Sequence, residues 1–156
     1  MYRKTIFQNI TINNYKVFED MDTMYKLLLK SKKITYISNI LYYYFIRNNS
    51  LIHEKFNIEN FNVINILEEM EKPILEKYPT LKDVLLIRKI NANFYVIRNV
   101  ESNTLFYNKS KDFIINNRKR VLKIKRVPIK TKLGIYISFI SMRLIKPIFK
   151  IYDSLR

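Results

Sequence analysis

The chain has 156 residues, of which 48% are hydrophobic and 14% aromatic, so its composition excludes a disordered or low-complexity protein. It contains no cysteine, one histidine and one glycine, which excludes disulfides, thiolate or multi-histidine metal sites and glycine-rich phosphate-binding loops. The formal net charge is +16, and residues 109–156 hold 14 of the 29 basic residues but 2 of the 13 acidic ones, which predicts attraction of this last third to polyanions.

The first predicted element is a helix from Val17 to Lys33. Its acidic residues fall in the first turn and its basic residues in the last, which matches the charges at the two ends of the helix dipole. Its apolar residues recur at i, i+3, i+4, i+7 and i+8 and predict one buried face. These residues are Met21, Met24, Tyr25, Leu28 and Leu29.

β-branched and aromatic runs follow this helix. Residues 34–37 and 41–46 predict two short strands joined by a turn, and residues 47–50 predict a loop. Helical periodicity returns at residue 57. It predicts helices from about Ile58 to Tyr78, from about Leu81 to Val100, and between Lys109 and Arg126.

The last predicted helix covers residues 131–156, with Pro147 expected to break or kink it. On a helical wheel four cations form a stripe beside a wide apolar face, the pattern of a helix lying in a membrane interface. These membrane-surface residues are Lys132, Arg143, Lys146 and Lys150. No apolar stretch reaches the roughly 20 residues that a bilayer-spanning helix needs.

Four motifs in the first 51 residues resemble, in this order, the second half of a family 2 glycosyltransferase, of the kind that builds bacterial capsule, teichoic or lipopolysaccharide glycans. They are YRKxxF at 2–7, FED at 18–20, KLLLKSKKI at 26–34 and YYYxxRxxSL at 42–51. The resemblance implies the C-terminal piece of a GT-A α/β catalytic domain over residues 1–56. A helical pair over 57–108 and basic, amphipathic membrane-surface helices over 109–156 would follow. The expected fold class is therefore mainly α with a small β hairpin-like element.

The resemblance also implies roles for individual residues. Asp20 would be the base that deprotonates the acceptor hydroxyl, with Glu19 as its neighbour on the acceptor side. Arg47 and Ser50 would lie in the loop that closes over the donor, where a cation and a hydroxyl can meet phosphate oxygens. Asp22 does not complete a D-x-D metal site with Asp20, because residues at i and i+2 of a helix point about 200° apart.

The family's nucleotide-sugar-binding half, with its D-x-D motif and divalent metal (Mg²⁺ or Mn²⁺), would precede Met1. We therefore expect a truncated or split enzyme that is inactive alone and holds no cofactor or metal in this chain. The complete enzyme would take a nucleotide sugar and a glycan acceptor. It would lie in the cytoplasm, peripheral to the inner face of the plasma membrane and in contact with its anionic surface.

Two other interpretations remain open. The first is a basic amphipathic peripheral membrane module without catalysis. The second is nucleic-acid binding through the basic clusters at 118–120 and 123–126, although no helix-turn-helix, zinc or RNP pattern accompanies them and we expect no nucleic-acid partner. Among the remaining polar and aromatic residues, His53 is predicted to be a surface histidine. Tyr42, Tyr43 and Tyr44 could stack on a sugar, but at least one of them must face the core in a strand, and simple packing is the preferred interpretation.

Overall fold

The computed structural model describes residues 3–43, 45 and 56–154. The chain divides into two compact units, Met1–Asn62 and Val63–Arg156. The predicted segments 57–108 and 109–156 both contribute helices to the second unit, and their separate roles stay predictions. Six α-helices and several short 3₁₀ turns make up the regular structure of the described residues.

No strand occurs within residues 3–43, 45 and 56–154, so the predicted strand pair and the α/β GT-A fold class are wrong, while the expectation of a mainly α chain holds. Residues 31–43 form no regular element, although 34–37 and 41–43 have strong β propensity. The physical reason is that β propensity measures how well side chains fit a paired, half-buried sheet, and a lone two-stranded hairpin is at best marginal in water.

Helix α1 (Glu19–Lys30) lies in the first unit and confirms the helix predicted from Val17 to Lys33 within three residues. A 3₁₀ turn at Lys4–Phe7 packs against α1. The helix ends at Ser31, whose backbone turns to an extended conformation and whose hydroxyl donates to the carbonyl of Leu27 at 2.8 Å. A second 3₁₀ turn, Ile58–Phe61, closes the unit.

The second unit is a bundle of five helices: α2 (Asn62–Lys77), α3 (Lys82–Asn99), α4 (Leu105–Leu122), α5 (Ile129–Ile140) and α6 (Ile145–Ser154). The helices predicted over 58–78 and 81–100 are confirmed as α2 and α3. The basic helix predicted from Lys109 to Arg126 is confirmed as α4, which begins four residues earlier, where Thr104 caps it by accepting the Tyr107 N–H at 3.2 Å.

Helix α3 lies at the centre of this bundle and contacts α4, α5 and α6. It can do so because apolar residues occur on several sides of it, so that each neighbouring helix covers part of its surface. Ile90, Phe94 and Ile97 belong to the main hydrophobic cluster, together with Ile114 of α4 and Ile135 of α5.

The single helix predicted over 131–156 is wrong, because α5 and α6 are separated at residues 141–144. The break occurs at Ser141, which has an extended backbone (φ −162°, ψ 132°) and whose hydroxyl accepts the Arg143 N–H at 3.3 Å. Pro147 neither breaks nor kinks the segment. It lies in the first turn of α6, where an N–H has no intrahelical partner and proline is tolerated.

Gly134, the chain's one glycine, lies where α5 passes closest to α3 and α6. A Cβ at this position would stand 2.8 Å from Cζ and Cε2 of Phe94 and 3.1 Å from Cζ of Phe149. Both phenyl rings are buried, with their centroids 6.0 Å apart. The missing side chain therefore makes room for an aromatic pair between the three helices.

Candidate functional site

The beginning of α1 is organised by a buried carboxylate, Asp22, which is fully inaccessible to solvent. Its oxygens accept the backbone N–H of Asn13 at 3.2 Å, the Asn13 amide at 3.4 Å and the ammonium of Lys26 at 2.7 Å. Lys26 also donates to the carbonyl of Thr11 at 2.9 Å. Because a buried charge is tolerated only when it is paired and hydrogen-bonded, this network fixes α1 against the segment before it.

Glu19 and Asp20, the predicted catalytic pair, are both exposed in the first turn of α1. Phe18 precedes them in the left-handed conformation (φ 68°), and one Asp20 oxygen accepts the Met21 N–H at 2.7 Å. The first-turn N–H groups give this end of the helix a partial positive charge, and acidic side chains are stabilising there. An exposed carboxylate held in this way can accept a proton from a bound hydroxyl.

Asp20 and Asp22 lie in different environments, one in solvent and one in the interior. Sequence reasoning placed the buried face of α1 on apolar residues and missed Asp22, while Met24 and Leu28 of that predicted face are exposed. The i, i+4 spacing of Asp22 and Lys26 was the available signal, since oppositely charged residues at this spacing are neighbours on a helix.

Arg47 and Ser50, predicted to meet the donor, lie outside the described residues, as do Tyr44 and His53. Tyr42 and Tyr43 are exposed, so neither of them is the tyrosine expected to face the core. They belong to an apolar, exposed segment, residues 34–43, which we call the apolar segment. Its large exposed side chains are Ile34, Tyr36, Ile37, Ile40, Leu41, Tyr42 and Tyr43.

A cleft of about 620 Å³ lies at the opposite end of α1 from Asp20. Its basic lining residues are Arg3, Lys30, Lys32 and Lys33, and the ammonium of Lys30 donates to the carbonyl of Gln8. Ten residues of α-helix separate Lys30 from Asp20, which is about 15 Å along the axis. The cleft and the carboxylate pair therefore do not form one site.

Within the described parts of the chain, no group of three or more histidine, cysteine or acidic residues is placed to hold a metal ion. Within the same residues, no helix is long and apolar enough to span a bilayer.

The four predicted membrane-surface cations do not form one stripe along a single helix, because the helix is interrupted at Ser141. Lys132 is half-buried on α5, Arg143 is exposed in the 3₁₀ turn between α5 and α6, and Lys146 and Lys150 are exposed one turn apart on α6. The basic stripe predicted from a continuous helix is thus divided among three elements.

A cluster of exposed apolar side chains occurs instead where α5 ends, which we call the junction face. Its members are Tyr136, Phe139, Ile140 and Leu144. The guanidinium of Arg118, from α4, lies 4.1 Å from the centroid of the Phe139 ring and donates to the carbonyl of Ser138 at 2.7 Å. The cation–π contact and the hydrogen bond hold Arg118 at the edge of this face.

A second cleft, of about 410 Å³, opens beside the junction face, between the loop after α3 and the start of α6. Arg143, Lys146 and Tyr107 contribute its basic and hydroxyl groups, and Glu101 is its acidic residue. Burial raises the pKa of the Tyr107 phenol, and the positive charge of Arg143 partly offsets that rise. Arg143 and Tyr107 thus line the same cleft and interact electrostatically.

The chain matches no protein-family model, and neither a curated protein nor a solved structure matches it. The resemblance to family 2 glycosyltransferases accordingly rests on the four motifs between residues 2 and 51.

Proposed function

We propose that this chain is the acceptor-side portion of a glycosyltransferase that works on a bacterial cell-surface glycan. The observation that carries the proposal is the exposure of Glu19 and Asp20 at the start of a helix whose first turn is fixed by the buried Asp22. This is where the four-motif resemblance puts the catalytic base, and a base needs both a fixed position and access to its substrate.

In the proposed reaction Asp20 accepts the proton of an acceptor hydroxyl. The resulting nucleophilic oxygen attacks the anomeric carbon of a nucleotide sugar, and the nucleoside diphosphate leaves with the bonding electron pair. Glu19 lies next to this base in the first turn of α1, on the acceptor side. Arg47 and Ser50 contact the donor's phosphates, and the donor-binding part, with its divalent metal, comes from outside these 156 residues.

The apolar segment supports the proposal that a separate donor-binding part packs against this chain. Seven large side chains between residues 34 and 43 are exposed, and they share strong β propensity. Exposed apolar surface of this extent is typical of a region that packs against further protein. The donor-binding part is the partner that the resemblance requires.

Sugar transfer by the complete enzyme tests this proposal. The chain is joined to the nucleotide-sugar-binding half of a family 2 enzyme, and turnover is compared with and without Asp20→Asn. Removal of a general base is expected to lower turnover by about 10²–10⁴-fold. The matched control is Asp83→Asn, which removes another exposed first-turn acid, at the start of α3. An Asp20→Asn enzyme as active as the control variant removes the base assignment.

A second candidate function is peripheral attachment to an anionic membrane, at the inner face of the plasma membrane, with or without catalysis. It is favoured by the exposed cations of the second unit and by the junction face beside them. Each basic residue near an anionic bilayer contributes about 1 kcal/mol. Co-sedimentation with anionic vesicles tests it, and a chain that stays in the supernatant at low salt refutes it.

A further inference from the structure

The junction face concentrates apolar side chains that the bundle does not cover. Tyr136, Phe139 and Ile140 follow i, i+3, i+4 spacing and so lie on one side of α5, and Leu144 follows in the next turn. Ile140 is 80% exposed although it ends a helix whose opposite side is fully buried at Ile135. Scattered single apolar residues are ordinary on a surface, whereas a contiguous group marks a contact surface.

Two cations, Arg143 and Lys146, lie on either side of Leu144 of this face in the chain. Arg143 and Lys146 have no carboxylate within ion-pair distance in the described part of the chain. By contrast Lys130, in the first turn of α5, is paired, because it shares the carboxylate of Asp153 with Arg98. Glu101 lines the same cleft as Arg143 and Lys146 but forms no ion pair with either cation among the described residues, so their positive charge remains available to an external anion.

The cleft beside the junction face adds a specific place for that anion. Apolar side chains of Ile97, Val100 and Met142 line its interior, and Arg143 and Lys146 stand among its lining residues. A membrane lipid carries a negatively charged phosphate next to apolar acyl chains. It therefore matches the combination of cations and apolar side chains that lines this cleft. A nucleic acid would satisfy the cations but would leave Ile140 and Leu144 in water.

We infer that the junction face is the part of the chain that enters the headgroup region of an anionic bilayer, with Arg143 and Lys146 binding a lipid phosphate in the adjacent cleft. Phe139, Ile140 and Leu144 insert among the upper acyl segments, and Arg118 remains at the headgroup level. This inference rests on the proposed membrane attachment and names its contact surface. It moves the contact from the four-cation stripe predicted by the helical wheel to the end of α5.

A single-tryptophan experiment tests insertion directly, because the chain contains no tryptophan. The full-length Ile140→Trp protein is mixed with vesicles of phosphatidylcholine, or of phosphatidylcholine and phosphatidylglycerol. Its emission is expected to shift to shorter wavelength with the anionic vesicles, as the indole leaves water. The matched control is Ile129→Trp, since Ile129 is equally exposed, at the other end of α5, and its emission should not shift.

Charge variants test the phosphate contact by co-sedimentation of the full chain. Arg143→Gln with Lys146→Gln is expected to weaken binding to anionic vesicles about 30-fold, for two cations at about 1 kcal/mol each. The matched pair, Lys123→Gln with Lys125→Gln, removes two exposed cations that follow the end of α4 and should weaken binding less than about threefold. Unchanged circular dichroism and melting temperature confirm that each variant is folded.

The outcomes separate the inference from the function on which it rests. If the unmodified chain does not bind anionic vesicles, membrane attachment and the inference both fail. If it binds, but Ile140→Trp and Ile129→Trp respond alike or the two charge pairs lose equal affinity, attachment stands and the junction face is overturned. If the chain prefers a single-stranded oligonucleotide to anionic vesicles at equal salt, the surface binds nucleic acid and the inference is overturned.

Discussion

Replacing Gly134 by alanine is expected to destabilise the second unit, although alanine is normally the better helix former. The new Cβ would lie 2.8 Å from two atoms of the Phe94 ring, whereas carbon atoms in contact prefer about 3.5–4.0 Å. The Phe94 and Phe149 rings are both buried and touch one another, so neither can turn away freely.

The size of the effect follows from two opposing contributions. Overpacking of a core costs about 1–3 kcal/mol, and alanine in place of glycine in a helix interior gains about 1 kcal/mol, so a net loss of up to about 2 kcal/mol is expected. For a domain of this size each kcal/mol lowers Tm by about 4–8 °C. Urea and thermal unfolding followed by circular dichroism measure both quantities.

Replacing the Phe94 ring by the smaller leucine side chain provides the control. In a Phe94→Leu background the atoms nearest the new Cβ are gone, so Gly134→Ala is expected to be neutral or to stabilise by up to about 1 kcal/mol. An exposed Asn116→Ala change in α4 measures helix propensity alone. If Gly134→Ala raises the Tm of the unmodified chain, or has the same effect in both backgrounds, the steric explanation is refuted.

Two further predictions concern polar groups of the same unit. The Ser110 hydroxyl is buried in α4 with no hydrogen-bond partner among the described residues, so Ser110→Ala is expected to stabilise by about 1 kcal/mol in urea unfolding, and a lower midpoint would contradict this. A hydrogen bond from Lys130, together with the charge of Arg98, lowers the pKa of Asp153 below its usual 3.8 and outweighs the opposing effect of burial. Its stabilisation is therefore present above pH 3.8 and is lost as the pH falls through the lowered pKa. Asp153→Asn should thus lower Tm at neutral pH by an amount that disappears in acid, whereas Asp112→Asn, an exposed acid on α4, should show no such pH-dependent difference.

Elements whose periodicity and caps agree were predictable from the sequence. The helix α1 carries acids in its first turn and lysine in its last, and α3 lies between Pro79 and the extended Val100. That residues 34–43 form no strand was not predictable from their composition. β-branched and aromatic residues form strands only where another strand supplies hydrogen bonds. The break at Ser141 left no clear mark either, since apolar residues continue on both sides of it and Pro147 is the more obvious helix breaker.

The candidate site was predictable in part. The FED motif placed Glu19 and Asp20 at a helix start, which is where they lie. Asp22 was not recognised as the residue that fixes the helix, because an acid in the first turn of a helix is ordinarily explained by the dipole and needs no burial. The junction face was not recognised because a helical wheel groups Tyr136, Phe139, Ile140 and Leu144 on one side but does not show which side the bundle leaves uncovered.

The apolar segment has a practical consequence for anyone who purifies this chain. No charge and no proline interrupt the sequence from Ile34 to Ile46, and Tyr36 is 89% exposed. Short segments with high β propensity, low charge and no proline are the usual starting points of cross-β aggregation. Recombinant protein is therefore expected to precipitate at high concentration. Tyr36→Lys, which places a charge inside the segment, is expected to keep the protein in solution.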